Sequence, residues 1–109
     1  MSQLLSVHEN QALLEAKTEV ASRFPLTWMK LYGSKARGTA DPESDLDVLI
    51  VLDTLDWETE RMVFEICFHA SLRHDTLLAP MVMSREEMES PLTQATPFFQ
   101  TVEREGVLV

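Results

Sequence analysis

The chain has 109 residues, 45% hydrophobic and 25% charged, the balance of an ordinary globular protein with one modest core, expected as a single domain over residues 1–109. Its net charge of −9 argues against direct nucleic-acid binding and against anionic membrane surfaces, since both draw on Lys and Arg; a basic protein partner suits it better. One cysteine, Cys67, rules out an internal disulfide; no apolar run is long enough to span a membrane, and the opening MSQLLSVHENQALLEAK lacks the basic start and cleavage site of a secretion signal, so the expected location is cytoplasmic.

Residues 8–23 predict an amphipathic helix with Ala12, Leu13, Ala16 and Val20 on one face, ended by Phe24-Pro25. Residues 27–32 predict a first strand, closed by a Gly33-Ser34 turn. Lys35 to Thr39 reads as a short helical turn, and Ala40 to Ser44 as a loop exposing Pro42 and Glu43. Leu46 to Leu52 is a strand too apolar to leave one face in water.

Asp56 predicts the cap of a helix from Trp57 to Arg73. Met62, Val63, Ile66, Cys67 and Ala70 form one apolar face, with Cys67 a small core hydrophobe. Phe64, Phe68 and Leu72 form a second stripe, for which the first expectation is cover by a terminal helix and the alternative is a partner. Thr76 to Met83 is a third strand, placed at a sheet edge or made irregular by Pro80. Ser84 and Glu87 form a capping box for a helix through Glu89. A loop follows between Pro91 and Pro97. A last helix over 98–105 stops at Gly106, and Val107 to Val109 is a tail. The fold class is α/β (α+β), a small mixed sheet with flanking helices.

The chemistry concentrates in LYGSKARGTADPESDLDVLIVL, residues 31–52. Asp45 and Asp47 alternate onto the same side of an extended strand. Two neighbouring carboxylates repel unless a cation lies between them, and Mg²⁺ with its preference for oxygen ligands and shared phosphates is the natural one. Gly33 lets backbone approach a phosphate closely, and Ser34 adds a hydroxyl and an N–H. Lys35 and Arg37 stand in the same loop as candidate phosphate contacts, with a solvated charge as the alternative for each; Arg37 is the stronger because guanidinium grips phosphate with two bonds. Gly38 serves the loop backbone, and Ser44 caps or orients a carboxylate. His8, His69 and His74 lack metal-ligand spacing and read as surface residues, while Trp28 and Trp57 flank the motif and read as core, with stacking on a base as the alternative.

Gly33-Ser34, ten residues, then Asp45-x-Asp47 resembles the GS-x10-DxD signature of nucleotidyltransferases with the DNA polymerase β-like fold. GSKARGTADPESDLDVLIV is similar to the minimal nucleotidyltransferase (MNT) subfamily, whose members are about this length and often pair with HEPN-domain proteins in bacterial and archaeal toxin–antitoxin operons. The likeness is strongest over residues 28–53 and weaker toward residue 109. It implies that Gly33 and Ser34 hold the β- and γ-phosphates of ATP, and that Asp45 and Asp47 bind Mg²⁺ and are the catalytic residues. It further implies an antitoxin that moves AMP onto a hydroxyl, a tyrosine, of a HEPN ribonuclease toxin within a hetero-oligomer.

Active members of this fold carry a third carboxylate on the strand after the long helix, where this chain has TLLAPMVM. Asp75 is four residues before Ala79, roughly 13 Å along an extended strand, too far to substitute. Glu86 and Glu87 read as first-turn helix acids. Two readings therefore stand beside the enzyme: a module that silences its partner by contact alone, and a transferase acting on small molecules, which would need a second subunit to hold the acceptor. A polymerase is weaker still, for want of a basic channel.

Overall fold

A computed structural model describes residues 5–38 and 44–109. The expected loop at Ala40 to Glu43, with Thr39, lies outside the described residues. Ser6 caps helix α1 (Val7–Arg23) through a reciprocal box with Glu9. The predicted apolar face of α1, Ala12, Leu13, Ala16 and Val20, is buried.

Strand β1 (Leu26–Tyr32) leads through Gly33 into the one-turn helix α2 (Ser34–Arg37). Strand β2 (Leu46–Leu52) runs antiparallel to β1, with Tyr32 opposite Asp47 and Lys30 opposite Leu49. Helix α3 (Trp57–Arg73), capped by the Asp56 carboxylate on the Thr59 N–H, carries the chain across to strand β3 (Leu78–Ser84), parallel to β2. The short helices α4 (Arg85–Glu89) and α5 (Pro91–Gln94) and the helix α6 (Pro97–Glu105) follow. Strand β4 (Val107–Leu108) closes the four-stranded mixed sheet in the order β3-β2-β1-β4.

β2 is the centre of the core. Leu46, Val48, Ile50 and Leu52 face α1 and α3, while Leu49 and Val51 meet Phe99 and Val102 of α6 on the other side. All six are fully buried, each worth roughly 1.5–3 kcal/mol on folding, so β2 is the rigid platform of the molecule.

Several expectations change at the edges. Val107 to Val109 is not a tail: Lys30 pairs with Leu108 and the Val109 N–H reaches the Met29 carbonyl, because β1 would otherwise leave a bare edge. The Pro91–Pro97 segment holds a helical turn capped by Ser90. The third strand starts at Leu78 rather than Thr76, since Asp75 adopts a left-handed turn and the Leu78 N–H is taken by Ser71 Oγ. β3 is an edge strand, as Pro80 requires.

The stripe of Phe64, Phe68 and Leu72 is not covered by either terminal helix: α1 lies against the opposite face of α3, and α6 lies across the sheet, so all three stay exposed. Trp57 is also not core, being 76% exposed at the first turn of α3. Cys67 is buried and its thiol is pushed up to about 12 by that burial, as a small core hydrophobe would be.

Candidate active site

Two strand ends build the site. β1 finishes at Tyr32 where β2 begins, so Gly33-Ser34 is carried to the side of Asp45 and Asp47. Gly33 has φ 81° and ψ −158°, backbone territory that essentially only glycine enters. A β-carbon placed there would lie 2.7 Å from Asp47 Oδ2, so the carboxylate closes directly over the glycine. Gly38 ends α2 with φ 76°, a left-handed cap that favours glycine.

Asp47 points away from the α1–α3 side, opposite to the buried Leu46 and Val48. Its carboxyl is held above the usual range, first by burial and then by the negative charge of Asp45. Tyr32, across the ladder, has its phenol raised for the same two reasons, burial and the charge of Asp47, and packs edge-on against Phe98 at 5.3 Å. Sequence reasoning passed over Tyr32; its place immediately before Gly33 was the available signal.

The other loop residues go elsewhere. The Lys35 ammonium is buried and paired with Glu9 of α1 at 2.5 Å, beneath the helix packed over it. Arg37 is exposed and pairs with Glu105 of α6 at 2.9 Å. Ser44 is half-buried just ahead of Asp45. Trp28 pairs with Val51 and Trp57 follows the far end of β2, so neither tryptophan flanks the aspartates. Trp28 is partly buried against the core cluster of Phe99 and Val102, with Lys30 Nζ 4.6 Å from its ring centre. His8 and His69 are exposed, whereas His74 is half-buried against Glu15 at 2.8 Å.

The parallel register sets Ala79 opposite Asp47 and Met81 opposite Leu49. Neither is an acid, and Asp75 lies in the turn before β3. Among the described residues no group of three or more His, Cys, Asp or Glu is gathered for a metal. Two adjacent carboxylates remain, one half-buried and crowded by the other, an oxygen donor set that fits Mg²⁺ shared with phosphate.

Comparison with known proteins adds a family to this geometry. The model of the nucleotidyltransferase domain matches residues 13–95, which takes in α1 from Leu13 onward, the glycine–serine loop, both aspartates and β3. The chain belongs to the nucleotidyltransferase domain family. A protein of Methanocaldococcus jannaschii named "Putative protein adenylyltransferase" is 36% identical to this nucleotidyltransferase domain over 80 residues, covering 72% of this chain and 74% of that protein. The four-stranded mixed sheet flanked by helices is consistent with the nucleotidyltransferase fold. No helix of the described residues is long and apolar enough to cross a membrane.

Proposed function

We propose that this nucleotidyltransferase domain is a protein adenylyltransferase that moves AMP from ATP onto a hydroxyl of a partner protein. The observation that supports it is the Asp47 carboxylate lying against Gly33, which sets the glycine–serine turn directly beside that acid. The name of the archaeal relative supports a protein acceptor. The acceptor oxygen bonds to the α-phosphorus while the bond from that phosphorus to the bridging oxygen breaks. Pyrophosphate leaves with the electron pair, and the hydroxyl proton passes to solvent. Gly33 and Ser34 orient the triphosphate by close backbone approach and a hydroxyl, and Asp45 and Asp47 would hold Mg²⁺. That ion, when bound, neutralises charge on the phosphate oxygens.

A groove of about 490 Å³ opens on the α3 side of the sheet, across it from the face toward which Asp47 points. It is lined by Phe68, Ser71, Leu72, Asp75 and Leu77 and reaches Ser44, the residue before Asp45. Following the resemblance to MNT domains, the partner is a HEPN ribonuclease toxin, the target a tyrosine, and this chain the antitoxin of the pair. The net charge of −9 suits a basic ribonuclease.

The uncharged Ala79 opposite Asp47 favours a second reading, in which the chain silences its partner by contact and chemistry is slow or lost. One experiment separates the two. The intact mass of a co-expressed HEPN-type protein is measured after incubation with this chain, ATP and Mg²⁺, beside an Asp45→Asn/Asp47→Asn control. A gain of whole AMP units that the control lacks is the expected result. An unchanged mass with both proteins still co-purifying would leave the contact reading standing.

A further inference from the structure

We infer that the buried Glu9–Lys35 ion pair is a latch that positions the phosphate-gripping loop, making Glu9 on α1 a positioning residue for the site. The inference rests on the proposed function only in that the loop serves to hold a triphosphate.

Lys35 and Glu9 are both more than nine-tenths buried, which charged side chains almost never are unless paired. Their separation is 2.5 Å. The same carboxylate also closes the cap of α1, where Glu9 Oε1 accepts the Ser6 N–H at 2.8 Å and Ser6 Oγ accepts the Glu9 N–H at 3.1 Å. Glu9 is therefore fixed on a helix whose apolar face is sunk in the core, and its other oxygen is offered to α2.

α2 needs such an anchor. Four residues are far too few to hold a helix by their own hydrogen bonds. Gly33 and Gly38, both at positive φ, bound it on either side as soft joints. Ala36 packs against the core edge, and Arg37 meets Glu105 in a pair open to water, which holds little. Lys35 supplies the buried, directional tie, and it immediately follows Ser34.

Stability alone does not account for this choice. Apolar residues of similar volume often hold a protein together as well as a buried ion pair does. What a salt bridge adds is a defined distance and direction, and here that direction sets where Gly33 and Ser34 stand relative to Asp47.

The test uses the full chain and three variants: Lys35→Met, Lys35→Arg, and Glu9→Gln/Lys35→Met. The double variant removes both charges and keeps a capping-box residue at position 9, so its melting temperature returns close to native even where Lys35→Met is poorly folded. Amide hydrogen exchange is read at Arg37 and Gly38, whose N–H groups bond the Gly33 and Ser34 carbonyls, against Val48 and Ile50 in β2. ATP·Mg²⁺ affinity is read on the same samples.

The expected result in the double variant is a tenfold or greater acceleration confined to Arg37 and Gly38, with ATP bound about tenfold more weakly. Lys35→Arg restores both readings. Native exchange at Arg37 and Gly38 in a folded double variant would overturn the latch, as would acceleration spread evenly through β2. If the native chain binds no ATP, the proposed function fails while the exchange pattern still decides the latch.

Discussion

Asp47 lies with its Oδ2 only 2.7 Å from where a side chain on Gly33 would begin. The relationship is reciprocal. The glycine is tolerated because nothing larger fits beneath the carboxylate, and the carboxylate approaches because nothing stands in its way. Gly33→Ala would meet both a clash and a strained backbone costing about 1–3 kcal/mol. A displacement near 1 Å at a reacting site costs on the order of 10²-fold in rate. The variant is expected to stay folded with a lower melting temperature and to lose AMP transfer by about that factor, measured by thermal denaturation and label incorporation from ATP.

Ala79 stands opposite Asp47 in the parallel ladder, on the strand where a third acid would complete the clamp. Ala79→Asp is expected to crowd three carboxylates together. Without Mg²⁺ the variant should melt below the native chain, and with Mg²⁺ it should regain the difference. If the missing acid limits the reaction, AMP transfer rises, with the roughly 10²-fold of a positioned general base as its scale. Melting curves with and without Mg²⁺, followed by initial rates, provide the check.

Arg37 and Glu105 form a partly exposed bridge between α2 and the end of α6. The hydrogen bond from Arg37 holds the Glu105 carboxyl below its ordinary range. A triphosphate would compete with Glu105 for the same guanidinium. Arg37→Ala should weaken ATP binding about tenfold, the scale of one charge-assisted hydrogen bond, and Glu105→Gln should tighten it a few-fold. Calorimetric titration of each variant with ATP·Mg²⁺ distinguishes these directions.

Glu15 joins α1 to α3 through Arg73 at 2.5 Å and His74 at 2.8 Å. The Arg73 hydrogen bond, above all, holds its carboxyl below the ordinary glutamate range. Glu9 is lowered too: burial pushes it up, but its bonds to Lys35 and Ser6 and the Lys35 charge outweigh that. A carboxyl depressed by folding stabilises the native state above its unfolded pKa, and the contribution disappears as pH falls through the folded value. The melting temperature should therefore hold through neutral pH and begin to drop below about 4.3, where an unfolded glutamate takes up its proton. Glu15→Gln should flatten that drop and cost roughly 0.5–1 kcal/mol at pH 7, as partly exposed pairs do. Thermal melts of both proteins between pH 3 and pH 7 provide the comparison.

Amino-acid order alone determined most of the secondary structure and singled out the candidate site. An unbroken apolar run made β2, the Asp56 and Ser84 caps began α3 and α4, and the Gly33-Ser34 to Asp45-x-Asp47 spacing marked the site, because these signals are local and depend on a few neighbouring residues. What is not local needed the fold. Lys35 resembled a phosphate ligand until α1 was packed over it, since a four-residue helix does not announce which side will be buried. Val107 to Val109 read as a tail because two paired residues carry no pattern of their own and become a strand only when β1 offers a free edge. The Phe64, Phe68 and Leu72 stripe read as covered because hydrophobicity is a property of the residue, whereas burial is a property of what lies against it. The closure of Asp47 over Gly33, the pairing of Asp47 with Tyr32 and the uncharged Ala79 beside it were all decided by strand register, which emerges only when separate strands are aligned over a shared core.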